Sequence, residues 1–172
     1  PVTRMPSKSK EGTILWRTLM AGGSTVVSCG NGVRALESEL ASLGIPLDTE
    51  LRELETELSV GPIDDTLLSE GSLALASAAT DLGYTLERMP KFISAEKCRT
   101  CGSCVHGCPH EAKWTAVNHL NPLSEAGGDI WYEVTVDQVL IENGRAVGVA
   151  GHRQRQPFRA NGGTVVLAAG GL

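Results

Sequence analysis

Residues 98–109 read Cys98-Arg99-Thr100-Cys101-Gly102-Ser103-Cys104-Val105-His106-Gly107-Cys108-Pro109, the pattern C-x2-C-x2-C-x3-C-P. Bacterial ferredoxins hold cubane iron–sulfur clusters by such a run. Spacings of two set successive sulfurs around one small volume and leave the intervening amides free to turn inward. Amides so placed donate hydrogen bonds to an anionic cluster and help set its potential. Gly102 and Gly107 supply the positive φ that a wrapping loop needs. Four of the five cysteines fall within eleven positions, so the spacing predicts a metal centre on Cys98, Cys101, Cys104 and Cys108.

Other uses of clustered thiols fit less well. A structural zinc would suit four thiolates, but zinc ribbons split their cysteines into two knuckles a dozen or more residues apart. A disulfide pair would suit a secreted protein. Nothing near Pro1 resembles a signal peptide, and reduced cysteines are the cytosolic norm, so the expected compartment is the cytoplasm. Free thiols left from a lost cluster are the third alternative. The ligand count stays open. In two-cluster ferredoxins the cysteine before proline serves the other cluster. Here the set is a 4Fe-4S centre on all four thiols, the same with Cys29 in place of Cys108, or a 3Fe-4S centre on three.

A chain of 172 residues suggests one domain or a large part of one. It is 41% apolar yet only 4% aromatic, with 20 glycines, a pairing that suggests backbone close to a ligand or a core completed by another segment. A formal charge of −5 argues against nucleic acid or an anionic membrane as partner. No apolar run approaches the roughly 20 residues of a spanning helix. The last residues, Thr164 to Leu172, read as a buried strand entering a glycine turn, and such a strand needs neighbours on both sides. The chain is therefore expected to be a piece of a larger protein.

Along the chain, residues 1–12 read as a polar, basic loop, and Ile14-Leu15-Trp16 opens the ordered part. Apolar Val33, Leu36, Leu40 and Leu43 fall at helical spacing, closed by Gly44. A second helix follows Thr49 with Leu51, Leu54 and Leu58 on one face. The charges Glu50, Arg52, Glu53, Glu55 and Glu57 read as its solvated side. Gly61-Pro62 is a break, Asp64 or Asp65 caps a third helical stretch to Leu82, ended by Gly83, and a short helix spans Lys113 to Leu120, in a region ended by Pro122 and Gly127-Gly128. Then the period changes. Ile130 to Ile141 is rich in β-branched residues, Asn143-Gly144 is a hairpin turn signal, and strands are expected at Ala146–Ala150 and Pro157–Ala160. The fold class is α/β (α+β within this stretch): a helical segment, then an antiparallel β-meander and a terminal strand.

In order along the chain, Gly22-Gly23-Ser24-Thr25, the helices, Cys-Gly-x-Cys-x-x-Gly-Cys-Pro at 101–109 and Ala112-Lys113 come first. Gly144-Arg145-Ala146-Val147-Gly148-Val149 in the meander and the terminal Val-Val-Leu-Ala-Ala-Gly-Gly follow. From about residue 14 to 172 this resembles the FAD-dependent glucose–methanol–choline (GMC) oxidoreductases. The resemblance implies an FAD-binding domain of the two-dinucleotide-fold type, divided as a flavin-contact loop (14–35), a helical part (36–90), the cysteine cluster (91–120), and the meander with its terminal strand (129–172). It implies that Gly22, Gly23, Ser24 and Thr25 lie against the flavin, with Asn31 and Gly32 just beyond and Ala169 and Gly170 near the dinucleotide. It further implies a flavin-dependent dehydrogenase of alcohol or sugar-like donors, partnered by the rest of the FAD-binding and substrate domains. A separate electron acceptor, a protein or a cytochrome, is a further expected partner.

The departures count as well. No G-x-G-x-x-G follows a strand, so the dinucleotide fingerprint is missing, as is the family's catalytic histidine segment. His106 and His110 flank the cysteines and read as surface or supporting groups. Two rival classes stay open: an iron–sulfur electron-transfer module without its own substrate, and a loop braced by thiols with or without zinc.

Overall fold

The computed structural model describes residues 3–4, 7–15 and 18–170. Trp16 and the terminal Gly171 and Leu172, on which sequence expectations were placed, lie outside the described residues. The chain divides into two compact units, residues 1–122 and 123–172.

The first unit opens with two short antiparallel pairs: β1 (Thr3–Arg4) on β4 (Thr18–Leu19), and β2 (Ser7–Lys8) on β3 (Ile14–Leu15). The polar start is therefore strand-paired where a loop was expected. A 3-10 turn over Gly23–Val27 follows. Helix α1 (Glu37–Ser42) is shorter than the apolar spacing suggests, because Leu36 sits in the left-handed region (φ 61). The residues before it stay extended, and Arg34 reaches across to α2 (Asp48–Glu57). There it makes a bidentate pair with Glu55 at 2.6 and 2.7 Å, plus contacts to Asp48 and Glu37. Glu55 is thus a tie between elements rather than part of a solvated face.

The expected third helix breaks in two. Asp64 accepts the Thr66 amide at 2.8 Å and caps a 3-10 turn (Asp65–Leu67). The chain then extends at Leu68, and Ser69 caps α3 (Glu70–Asp81) by accepting the Ser72 amide. Short polar side chains at both positions compete for local amides, so two caps make two elements. After the cysteines come a 3-10 turn (Ala116–His119) and α4 (Leu120–Glu125). Pro122 lies inside the first turn of α4, where its missing N–H costs nothing, and the region ends at Gly127 (φ 83) and Gly128.

The hub of this unit is the extended stretch 89–94. Its β6 segment (Pro90–Lys91) pairs with β5 (Gly61–Pro62), and the same stretch bridges Asn31 and Lys113. Gly32 donates to the Pro90 carbonyl at 2.8 Å, Phe92 to Gly30 at 3.0 Å, Ser94 to Ala112 at 2.8 Å and Trp114 to Phe92 at 3.1 Å. Phe92 and Trp114 meet edge to face, 6.1 Å between centroids. Little else is enclosed: among the described residues Ala112 is the buried apolar side chain, with Thr18 and Lys113 the buried polar ones. Val33, Leu36 and Leu43, three of the four residues of the expected inner face of α1, are exposed.

The second unit is a meander of β7 (Val134–Glu142), β8 (Arg145–Arg153) and β9 (Gln156–Asn161), antiparallel and in chain order. Asn143 and Gly144 both take positive φ (51 and 76), the mirror-image turn that suits strand twist. Gln154 and Arg155 do the same (φ 47 and 70) without the usual turn residues. The terminal strand is a correction. Residues 164–168 carry no strand pairing, and Val166 and Leu167 are 80% and 76% exposed, because no described strand offers them an edge. Mixed helices with antiparallel sheets uphold the α/β class at its coarsest.

Candidate functional site

Because Asn31 and Lys113 both pair with the 89–94 stretch, the turn before Asn31 and the cysteine run before Lys113 arrive at the same place. Cys29 ends the first and Cys98–Cys108 form the second. A cleft of about 550 Å³ is lined by Cys29, Cys98, Cys101, Cys104 and Cys108 together with Lys91, Ile93, Lys113 and the Thr66–Ser69 segment. All five cysteines carry free thiols, and Cys29 is exposed, so it is not the small buried apolar residue that a lone cysteine suggests.

The run winds as its glycines allow. Cys98 donates its amide to Ser94, and the Thr100 amide faces the Cys98 sulfur at 3.5 Å. Gly102 (φ 69) opens and Gly107 (φ 89) closes a 3-10 turn, Ser103–His106, that carries Cys104. The chain then folds back, with the Glu111 amide donating to the Cys108 carbonyl at 3.3 Å, and the amides of Lys113, His110 and Ala112 come close enough to the Cys108 sulfur to favour its thiolate. Burial pushes the Cys108 thiol up, but those donors and the Lys113 charge outweigh it, and the net displacement is downward. Cys104 moves the other way: burial raises it, and Lys113 offsets only part of that.

Lys113 is the residue that sequence reasoning underrated, reading it as the start of a short helix and the partner of Ala112 in a motif, whereas it bridges Ile93 in extended chain. It is 4% exposed, and its ammonium donates to the carbonyls of Val26 (2.8 Å), Ser28 (2.5 Å) and Cys104 (3.0 Å). The three bonds use every proton of the group and tie the Gly23–Val27 turn to the cysteine loop. Burial lowers its pKa, with Cys104, Cys108 and Cys29 pulling back up. No carboxylate among the described residues acts on it. The usable signal was a lysine set between Ala112 and Trp114 in an apolar segment just after the thiols.

The residues expected at the flavin are dispersed in role. A side chain on Gly22 would strike Val117 at 2.6 Å and Val26 at 2.9 Å, whereas Gly23 opens on free space. Ser24 is exposed. Thr25 turns inward: its hydroxyl donates to the Gly22 carbonyl at 2.5 Å and accepts the Ala116 amide at 3.0 Å. Asn31 accepts from Lys91 at 2.6 Å, and Lys91 also holds the Cys29 carbonyl. A Cβ on Gly32 would strike Val60. Ala169 and Gly170 lie in irregular chain of the second unit. His106 and His110 are both exposed, and His110 borders the cleft.

Among the described residues, no three of His, Cys, Asp and Glu converge on a point where one metal ion would sit. The thiols ring a cleft instead. Such a donor set, with one buried cation beside it, has the chemistry to hold an anionic group through thiolates.

A family model described as GMC oxidoreductase matches residues 5–172, nearly the whole chain. The chain belongs to the GMC oxidoreductase family, a class of FAD-binding oxidoreductases. Among its relatives is an uncharacterized GMC-type oxidoreductase of Mycobacterium tuberculosis, found in two strains. Identity is 32% over 166 residues, covering 87% of this chain and 25% of the relative. An uncharacterized protein of Methanocaldococcus jannaschii is 31% identical over 123 residues, 71% of this chain and 29% of its own length. The chain thus spans about a quarter of the curated relatives it matches. No described helix is long and apolar enough to cross a membrane.

Proposed function

We propose that this chain is the cofactor-contacting part of a flavin-dependent dehydrogenase that oxidises an alcohol or sugar-like donor and holds an iron–sulfur cluster in the five-thiol cleft. When bound, the flavin accepts two electrons as a hydride and the cluster passes electrons on singly. Cys98, Cys101, Cys104 and Cys108 would hold the cluster, with the amides of His110, Ala112 and Lys113 turned toward the Cys108 sulfur. The turn that begins at Gly23 leaves space for a ring to lie on backbone, with Ser24 exposed beside it. Gly22 and Thr25 shape that turn, Asn31 and Gly32 brace it, and Ala169 with Gly170 serve the dinucleotide in a two-dinucleotide-fold domain.

One observation carries the cluster reading: a buried ammonium with no carboxylate partner lines a cleft of five thiols. A charge of that kind is stable beside an anion and costly without one. A single zinc needs four donors converging tetrahedrally, and the cleft does not offer that convergence. The test is iron and acid-labile sulfide analysis after anaerobic preparation, joined to electron paramagnetic resonance of the reduced protein. Iron and sulfide together in a brown protein support the assignment. Stoichiometric zinc, or no metal after anaerobic reconstitution, refutes it.

A further inference from the structure

We propose that Lys113 is a positioning residue for the cluster, supplying the fixed positive charge that raises its reduction potential. The proposal rests on the cluster reading above and adds a role for a residue outside the ligand set.

Three observations lead there. Lys113 is almost wholly enclosed, and its ammonium reaches the carbonyls of Val26, Ser28 and Cys104. A neutral side-chain amide could meet two of these carbonyls with its two N–H groups, so a lysine adds the third bond and, with it, a buried charge that needs compensation. Lys113 lines the same cleft as Cys29, Cys98, Cys101, Cys104 and Cys108, and its ammonium holds the Cys104 carbonyl. The charge is therefore set against the thiols rather than against any carboxylate of the described chain.

The sign follows from Coulomb's law. One-electron reduction makes a thiolate-held cluster more negative, so a nearby fixed cation stabilises the reduced form more than the oxidised form. Removing the charge lowers the potential. It also leaves the oxygen ends of three carbonyl dipoles less compensated, which acts in the same direction.

The experiment compares wild type, Lys113→Gln, Lys113→Met and Lys113→Arg in the intact protein, reconstituted anaerobically with ferrous iron and sulfide. Iron content is measured first, then the midpoint potential by redox titration followed by electron paramagnetic resonance. Lys113→Gln keeps two of the three N–H donors and loses the charge, Lys113→Met loses both, and Lys113→Arg keeps the charge. We expect Lys113→Gln and Lys113→Met to shift the reduced-to-oxidised ratio at fixed poise at least tenfold toward oxidised, 59 mV for a one-electron couple. Lys113→Arg should stay within threefold of wild type. Loss of iron from Lys113→Gln and Lys113→Met alone, with Lys113→Arg loaded, would make the charge a requirement for holding the cluster and overturns its assignment as a tuner of potential. A Lys113→Gln potential within threefold of wild type overturns it, as does loss of iron from all three variants. Wild type that takes up no iron refutes the cluster itself, a separate failure.

Discussion

If the proposed cluster is present, Cys108 and Cys29 compete for the fourth place in its ligand set. Both line the cleft, but the backbone turns toward Cys108 with three amides, a surround that favours a thiolate. Cys29 belongs to a distant turn held in place through its carbonyl by Lys91. Cys108→Ser is expected to lose iron or to leave a three-iron signal in electron paramagnetic resonance, and Cys29→Ser to keep the wild-type iron content. The reverse result would make Cys29 the ligand. Gly22 yields a second prediction at this scale. Its φ is +83, and an added methyl would meet Val117 and Val26 within 3 Å. Gly22→Ala should cost about 1–3 kcal/mol by overpacking, read as a lower urea midpoint at unchanged slope.

Between elements, the Arg34–Glu55 pair joins α2 to the chain entering α1. The Arg34 hydrogen bonds hold the Glu55 carboxyl below its ordinary value. A depressed folded-state pKa means the stabilisation is complete above the unfolded value and disappears as pH falls through the folded one. Glu55→Gln should therefore lower the melting temperature at neutral pH, and the gap to wild type should close on acidification through the carboxylate range. A gap that persists at low pH would assign the effect to packing. In the meander, Gly151 lies where a Cβ would strike the Thr135 carbonyl of the neighbouring strand. Gly151→Ala should cost about 1–3 kcal/mol, visible in thermal melts followed by the strand signal in circular dichroism.

At the scale of the molecule, the described residues enclose little core and leave Leu43, Leu75, Leu82, Tyr84 and Val166 largely exposed. Apolar faces of this extent are normally covered. The 172-residue chain prepared alone is expected to bind a hydrophobic dye strongly, to bind FAD weakly, and to oxidise no alcohol with a dye acceptor. Turnover by this chain alone would move the substrate site into it and contradict the missing fingerprint and histidine.

The sequence by itself determined the features that depend on local chemistry. The glycines at 102 and 107 fall where the cysteine loop takes left-handed backbone, and Asn143-Gly144 makes its hairpin. The ordered series of short motifs was enough for the family. Helix ends were less legible, since Asp64 and Ser69 each cap a separate element and neither outranks the other until the chain is folded. The strand expected at residues 164–172 shows the same limit, because strand pairing depends on an edge supplied from elsewhere. Only the tertiary structure put Cys29 in the cleft with the other thiols, and only it enclosed Lys113 among three carbonyls. Both follow from the pairing of Asn31 and Lys113 with one extended stretch, a contact between residues 60 or more positions apart in one case and 20 in the other. Periodicity and spacing carry no record of such pairings, and the electrostatics of the cleft exist only once they are made.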